Sequence, residues 1–247
     1  MMRRIRLTVA YDGTNYCGWQ KQPNAITVEE MLDRAVCSLT GEETTLTGAS
    51  RTDSGVHALG NVAVFDTEAR IAADKVAFAL NVRLPEDIRV LKSDEVPCDW
   101  HPRKRECVKT YEYRILNTKI EVPTLRLYSH FCYYDLDTEK MQEGASFIIG
   151  THDFTSFCSV KSQALSPVRT VTKAEVRKDG NMIVIHLEGG GFLYNMVRII
   201  AGTLVQVGMG VYPPEHVKEI IEARDRRLVG QTMPARGLTL IGIDYLE

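Results

Sequence analysis

The chain opens with two different spacings of apolar residues. Residues 5–11 alternate between apolar and polar, which is typical of a strand with one buried face. From residue 27 to residue 39, apolar side chains recur at helical spacing instead. Thr27 and Glu30 form a capping-box pattern at the start of this stretch, and Gly41 follows as a stop signal. The pattern therefore predicts a strand followed by a helix.

A further pair of strands is predicted around a polar stretch. Residues 44–47 and 61–66 have strand patterns, and residues 72–80 have the spacing of a second helix. The polar residues between the two strands should form a connection that is held by rigid elements. Such connections are a common place for reactive side chains.

The second half of the chain repeats these kinds of pattern. The sequence predicts strands at 110–116, 168–177, 182–188 and 239–246, and helices at 137–149, 192–208 and 214–223. A turn sequence at residues 178–181 predicts a hairpin between two of the strands. Two prolines and a basic cluster in residues 97–105 mark a change in composition, so we divide the chain into domains 1–105 and 106–247. The pattern alone predicts an α+β fold with antiparallel sheets.

Composition narrows the class of protein only a little. The 247 residues are 44% hydrophobic and 25% charged, which is ordinary for a globular protein. The net charge of −2 argues against a protein that coats nucleic acid non-specifically, but it allows a local basic cleft. There is neither an apolar run long enough to span a membrane nor the apolar core of a signal peptide. The six cysteines lack C-x-x-C spacing. We therefore expect a cytoplasmic protein with free thiols and no membrane partner.

The most informative chemistry lies in residues 48–58, which read Gly-Ala-Ser-Arg-Thr-Asp-Ser-Gly-Val-His-Ala. Arg51 gives Asp53 a cationic neighbour, which favours an ionised carboxylate. Taken alone, an Arg-x-Asp sequence is more often a surface ion pair. The whole string, however, resembles the signature of the tRNA pseudouridine synthase A family, whose Asp is catalytic. Ser50 stands where that family usually has Gly, a residue that readily adopts positive φ.

Further segments resemble the same family, in the family's order along the chain. They are residues 11–20, 109–114, 152–157, 192–198, 237–240 and 244–245. The resemblance implies the pseudouridine synthase fold, which has two similar α/β subdomains with antiparallel sheets merged around a central cleft. It also implies a homodimer that binds tRNA.

The resemblance also assigns roles to individual residues. It implies that Asp53 is catalytic, that Tyr111 stacks near the target base and assists at the active site, and that Arg198 pairs with Asp53. Arg51 is a candidate contact for an RNA phosphate that helps to hold the target base out of its stack. Read from the residues alone, Tyr111 and Tyr113 could both pack one sheet face, and Arg198 could extend to water at a helix edge. We interpret Tyr113 as a core residue.

Two other features have plainer explanations. His57 has no second ligand at metal spacing, so we interpret it as a structural histidine that forms hydrogen bonds. The run Gly189-Gly190-Gly191 lacks the lysine and spacing of a phosphate-binding loop, so we expect close backbone packing there. Thr52 and Ser54 are expected to shape the signature loop.

By resemblance, the predicted activity is the isomerisation of uridine to pseudouridine at positions 38, 39 and 40 of the tRNA anticodon stem-loop, without cofactor or metal. One alternative is an RNA-binding protein without catalysis. Another is a different carboxylate enzyme such as a glycosidase, which needs paired carboxylates. Asp12 and Asp153 are spare acids, but neither has an evident partner in the sequence. The sequence leaves open which uridines and tRNAs are used, the dimer surface, and whether Asp53 attacks C6, attacks C1′ or assists a glycal route.

Overall fold

The computed structural model describes residues 2–159 and 165–246. The strands within these ranges are β1 (Arg3–Tyr11), β2 (Thr47–Gly48), β3 (His57–Thr67), β4 (Ile88–Val96), β5 (Cys107–Asn117), β6 (His130–Cys132), β7 (Gly150–Asp153), β8 (Val168–Asp179), β9 (Met182–Gly189) and β10 (Leu238–Tyr245). The α-helices are α1 (Val28–Thr40), α2 (Ala73–Asn81), α3 (Thr138–Ser146), α4 (Met196–Gly208) and α5 (His216–Ala223). The fold is α+β, as the sequence predicts.

The chain divides into two compact units. One contains Met1–Glu106 together with Leu240–Glu247, and the other contains Cys107–Thr239. Residues 240–247 belong to the second domain predicted from the sequence, whereas the structure groups them with the first unit. The reason is that β10 pairs with β3, a strand of the first unit.

The first unit is built on a sheet with the strand order β4-β1-β3-β10. β1 pairs antiparallel with both β3 and β4. Its alternating side chains Ile5, Leu7 and Val9 are all fully buried. The predicted strand with one buried face is therefore confirmed, and it forms the centre of this unit.

Helix α1 begins and ends where its capping residues predict. Thr27 is the N-cap, and its Oγ1 accepts a hydrogen bond from the backbone N–H of Glu30 at 3.3 Å. Gly41 follows the helix with φ of 74°, a left-handed conformation that glycine adopts without strain. Its N–H donates to the carbonyl of Cys37 at 2.9 Å. These contacts satisfy backbone groups that helix ends leave unpaired.

The predicted strand at residues 44–47 is mostly wrong, because only Thr47–Gly48 pairs as β2. The backbone N–H of Leu46 instead donates to the buried carboxylate of Asp33 on α1, at 2.9 Å. A side chain from a distant element therefore takes the hydrogen bond that a neighbouring strand would have used.

The second unit has the strand order β5-β9-β8-β7. All three neighbouring pairs are antiparallel, as expected. β6 departs from the expectation, because it pairs in parallel with β5 and makes the sheet mixed. Gly180, with φ of 55°, lies in the turn of the predicted β8–β9 hairpin.

The helices of the second unit are shorter than the pattern predicts. α3 begins after Asp137, whose carboxylate accepts N–H groups from the first turn, and Met141 and Ala145 on its predicted face are fully buried. α4 begins at Met196 rather than at residue 192. The cause is Asn195, whose φ of 61° is incompatible with a continuous right-handed helix.

The structure also bears on the state of the cysteines, on membrane-spanning helices and on clusters of metal-binding side chains. All six cysteines are free thiols, as predicted. None of the helices in the described part of the chain has the length and apolar content needed to cross a bilayer. Within that same part, no cluster of three or more His, Cys, Asp or Glu side chains is placed to hold a metal.

Candidate active site

Asp53 lies on the connection between β2 and β3, as the sequence predicts. The side chain is half-buried. Its backbone carbonyl accepts a hydrogen bond from the N–H of Val56 at 3.1 Å, and Gly55 within this turn has φ of 77°. The backbone at Asp53 is therefore fixed first by a tight turn of its own loop.

The segment that follows β1 holds the same loop from outside. The N–H of Trp19 donates to the carbonyl of Thr52 at 3.0 Å, and the N–H of Gly55 donates to the carbonyl of Tyr16 at 3.3 Å. The hydroxyl of Ser54 donates to that same carbonyl at 3.2 Å. The residues on both sides of Asp53 are thus tied to a second piece of backbone.

Two glycines make this approach possible. A Cβ at Gly13 would lie 2.0 Å from the carbonyl oxygen of Val56, which is closer than real atoms pack. A Cβ at Gly18 would lie 2.6 Å from the carbonyl oxygen of Thr52, and Gly18 also has φ of 85°. Only glycine fits at either position, because any side chain would displace the Asp53 loop.

A buried polar network supports the loop from below. The carboxamide of Asn61, which is fully buried, accepts from the N–H of Ser50 at 3.3 Å and donates to the carbonyl of Ser50 at 3.0 Å. The hydroxyls of Tyr11 and Thr52 lie 2.7 Å apart, and Asn61 also donates to the Tyr11 hydroxyl at 3.3 Å. Buried networks of this kind favour one arrangement, because a misplaced group would be left without a partner.

The serine at position 50 needs no unusual backbone. Among the residues that the structure describes, the non-glycine residues with positive φ are Asn24, Asn195 and Arg224. Ser50 is buried in an ordinary conformation, where Asn61 binds both of its backbone groups. Ser50 therefore does not require the positive φ that glycine readily adopts.

His57 has the structural role that we predicted. It is buried, and its Nδ1 lies 3.1 Å from the N–H of Gly13 and 3.1 Å from Oδ1 of Asp12. A neutral Nδ1 accepts from Gly13, whereas a protonated Nδ1 donates to Asp12. In either form the ring joins the end of the signature to the segment that holds it.

The two spare carboxylates also have structural roles. Oδ1 of Asp12 accepts from the N–H of Thr14 at 3.0 Å, and Oδ1 of Asp153 accepts from the N–H of Thr155 at the same distance. The Thr155 hydroxyl lowers the pKa of Asp153, and Arg224 lies 3.3 Å from its second oxygen. Asp12 caps a short 3-10 turn and Asp153 binds the first residue of another, so neither gives support to a glycosidase with paired carboxylates.

Arg198 lies in the first turn of α4, in the second unit, and is half-buried. Its Nε donates to the carbonyl of Met233 at 2.7 Å, and its Nη1 donates to Oδ1 of Asn195 at 2.8 Å. These bonds fix the plane of the guanidinium. The interpretation of Arg198 as a side chain that merely extends into water is therefore wrong.

The two tyrosines of β5 have different surroundings. Tyr111 is only 8% exposed, and its ring packs edge-on against Phe192 with centroids 5.3 Å apart. Tyr113 is fully buried, and its hydroxyl donates to the carbonyl of Pro234 at 2.8 Å. Burial raises the pKa of Tyr113. The prediction that Tyr113 is a core residue is confirmed.

Arg51 is exposed and lies near a second cation of the first unit, Arg103. Arg103 donates from Nε to the carbonyl of Gly48 at 2.7 Å, at the start of the same loop. Burial lowers the pKa of Arg103, and the charge of nearby Arg51 lowers it further. Two cations close together suit a polyanion such as an RNA backbone.

The predicted site residues are thus divided between the units. Arg51 and Asp53 lie in the first, and Tyr111 and Arg198 lie in the second. The pairing of Asp53 with Arg198 stays a prediction. Sequence reasoning missed the roles of Asn61 and Asn195, because a lone asparagine gives no signal until its hydrogen-bond partners are known.

The predicted close backbone packing at the glycine run before α4 is found at its first residue, Gly189. A Cβ at Gly189 would lie 2.5 Å from the carbonyl oxygen of Thr170 on β8. Close approach between β9 and β8 therefore requires glycine there. The following residues, Gly190 and Gly191, have more space around them.

Comparison with known proteins identifies the family of this chain. The sequence model of a family described as tRNA pseudouridine synthase matches residues 7–103 and 145–246. The chain therefore belongs to the tRNA pseudouridine synthase family, and the resemblance seen in the sequence is confirmed.

Individual relatives match over nearly the whole chain. A protein of Acetivibrio thermocellus named tRNA pseudouridine synthase A is 46% identical over 244 residues, which cover 99% of this chain and 100% of the relative. The protein of the same name from Thermoanaerobacter pseudethanolicus is 48% identical, and that from Clostridium acetobutylicum is 45% identical, with the same coverage.

Proposed function

We propose that this protein isomerises uridine to pseudouridine in tRNA and that Asp53 is its catalytic carboxylate. The observation that carries the proposal is the geometry of the signature loop. The loop is held by its own turn, by the segment around Gly13 and Gly18, and by the buried Asn61 network. A carboxylate carried by a loop that is fixed in this way suits a reaction in which the attacking atom must meet one position of a bound nucleoside.

The reaction rearranges bonds without adding a group. The bond between N1 of uracil and C1′ of ribose breaks, the base rotates, and a bond forms between C5 and C1′. C5 loses a proton and N1 gains one, so atoms and electrons balance without an oxidant, a reductant or a cofactor. Asp53 either attacks C6, attacks C1′ or assists the formation of a glycal intermediate, and each of these routes requires its ionised carboxylate.

Arg198 is the proposed partner of Asp53. Arginine suits a carboxylate better than lysine does, because its planar guanidinium donates two parallel hydrogen bonds. The bonds to Met233 and Asn195 already orient this guanidinium within the second unit. A positive charge next to Asp53 would lower the pKa of the carboxylate and keep it ionised at neutral pH.

Tyr111 and Arg51 are the proposed contacts to the RNA. A target uridine must leave its base stack to reach a carboxylate, and an aromatic ring stabilises an unstacked base. The edge contact with Phe192 fixes the ring of Tyr111 for this purpose. Arg51 is exposed next to Arg103, where a phosphate would offset their mutual repulsion.

The finer parts of the proposal concern the substrate and the assembly. We propose that the uridines are those at positions 38, 39 and 40 of the tRNA anticodon stem-loop. We further propose that a homodimer in the cytoplasm performs the reaction without cofactor or metal. The names of the full-length relatives support a tRNA substrate.

The test uses unmodified tRNA transcripts labelled with tritium at C5 of uridine. The purified protein should release tritium as C5 loses its hydrogen, and sequencing should place the product at positions 38, 39 and 40. Asp53→Asn should lower the rate by about four orders of magnitude or more, because the amide is a very poor nucleophile.

The matched control is Asp74→Asn, since the side chain of Asp74 is 70% exposed and pairs only with neighbouring Lys75 among the ion pairs described. This variant should keep the full rate. Absence of tritium release by the unaltered protein would refute the activity. A normal rate for Asp53→Asn would refute the assigned carboxylate, and products elsewhere in the tRNA would refute the proposed positions.

A further inference from the structure

We infer that Asn195 is a positioning residue, which orients the guanidinium of Arg198 for the reaction. The inference rests on the proposed function, because it assigns Asn195 a role only through the catalytic arginine. Its starting point is the backbone of Asn195, which has φ of 61° and ψ of 4° immediately before α4. Strained positions of this kind persist where surrounding contacts require them, and they are frequent at functional sites.

The usual reason for asparagine at a helix start does not apply here. An N-cap asparagine normally accepts a hydrogen bond from a backbone N–H of the first turn. The side chain of Asn195 makes no capping bond of this kind. The position therefore loses the stabilisation that a cap provides and keeps a left-handed conformation that glycine would adopt without strain.

The side chain instead joins two other groups. Its Oδ1 accepts from Nη1 of Arg198 at 2.8 Å, and its Nδ2 donates to Oγ of Ser159 at 2.9 Å. The acceptor and the donor of the carboxamide are thus both used, which fixes the orientation of the amide. Ser159 is itself tied to this region, because its N–H donates to the carbonyl of Tyr194 at 3.2 Å.

The bond to Asn195 completes the orientation of the guanidinium. Nε of Arg198 is fixed by the carbonyl of Met233, and a single bond there would still allow the far end of the group to swing. The second bond, at Nη1, removes that freedom. Met233 and Asn195 both offer neutral acceptors, so neither of them compensates the positive charge of Arg198, whereas an acidic residue at position 195 would neutralise it.

The test compares Asn195→Gly with Asn24→Gly. Asn24 is exposed and has a φ of 63°, close to the 61° of Asn195, so both variants place glycine at a residue with positive φ. Asn195→Gly should melt within roughly 3 °C of the unaltered protein. Its kcat on unmodified tRNA should fall roughly tenfold to a hundredfold, with KM changed less than about threefold, because only the orientation of the arginine is lost. Asn24→Gly should leave kcat and KM unchanged.

A double-variant cycle shows whether the effect passes through Arg198. Arg198→Lys loses the planar group that Asn195 orients, so adding Asn195→Gly to it should lower single-turnover rates by less than twofold further. A normal kcat for Asn195→Gly, a much lower melting temperature, or a full additional loss in the lysine background would each overturn the inference. Failure of the unaltered protein to form pseudouridine would instead refute the proposed function.

Discussion

The Asp53 loop and the start of α4 hold their side chains in different ways. Backbone hydrogen bonds from Trp19 and Gly55 hold the loop against a second segment that two glycines allow to approach, and the buried Asn61 network adds further support. The side chain of Asn195 and the carbonyl of Met233 hold Arg198, at a strained helix start. The first arrangement fixes where a short side chain begins, and the second fixes where a long side chain ends.

Side-chain length explains this difference. Aspartate has two torsions, so fixing its Cα places the carboxylate within a small volume. Arginine has several more, and ordering a free arginine costs up to about 2 kcal/mol of conformational entropy. Fixing the backbone of Arg198 would therefore leave the guanidinium mobile. Contacts at Nε and Nη1 remove this freedom before substrate binds.

The largest expected effect comes from pushing the segment that contains Gly13 away from the Asp53 loop. Gly13→Ala would place a methyl group against the carbonyl of Val56 and push the signature loop away. We expect catalytic activity to fall at least about a hundredfold, because small displacements of reacting groups cost that much. The free energy of unfolding should also fall by about 1–3 kcal/mol. Tritium release and urea denaturation measure the two quantities.

Gly242→Ala is the matched control for that variant. Gly242 lies on β10 of the same unit, and a Cβ there would meet nothing within 4 Å. Its activity should match that of the unaltered protein. Equal losses in the two variants would show that the approach of Gly13 to the loop has no special importance.

An intermediate effect is expected from the buried network below the loop. Tyr11→Phe removes the hydroxyl that lies 2.7 Å from Oγ1 of Thr52. We expect the free energy of unfolding to fall by about 1–2 kcal/mol, because a buried polar group loses its partner. If the network also positions Asp53, kcat should fall about tenfold. Thermal melting and steady-state kinetics measure these changes, and normal values of both would contradict the proposed support.

The smallest effects should appear as opposite responses of the two units to pH. Burial alone would raise the pKa of Glu112 in the second unit, but hydrogen bonds from Arg114 and Arg177 lower it below its usual range. Burial raises the pKa of Asp33 in the first unit, although Leu46 donates to it. Ionised Glu112 therefore stabilises its unit above pH about 4.3, and this stabilisation is lost as pH falls through the lowered pKa. Above its raised pKa, ionised Asp33 lowers the free energy of unfolding. This destabilisation is lost as the carboxylate becomes protonated, and it is absent below pH about 3.9.

Two variants should make this contrast visible. Glu112→Gln should destabilise β5 at pH 7, by about 1 kcal/mol, because its partners are partly exposed and can turn to water. Asp33→Asn should stabilise α1 at pH 7. Both differences from the unaltered protein should shrink as the pH falls to 3. Amide hydrogen exchange reports each element separately, and shifts of the same sign at pH 7 would contradict the contrast.

The sequence-based predictions were accurate where an element is determined by residues close to it in the sequence. The bounds of β1 and α1 follow from the alternation of residues 5–11 and from the caps Thr27 and Gly41, which act within a few residues. The predictions failed where a distant group intervened. Asp33 takes the N–H of Leu46 from the expected strand, and α4 begins late because Asn195 is left-handed, with its side chain bound to Ser159, which lies 36 residues away in the sequence. Each of these contacts depends on groups whose relative placement the local pattern does not determine.

The sequence by itself determined the class of fold, the family and the loop that carries Asp53, because these depend on periodicity and on the order of residues along the chain. Only the tertiary structure decided what fixes that loop and the guanidinium of Arg198. Gly13 and Val56 are far apart in the sequence, as are Arg198 and Met233, and they meet only in the folded chain. Hydrogen bonds and steric contacts depend on distance and direction in space, and so they are decided by packing.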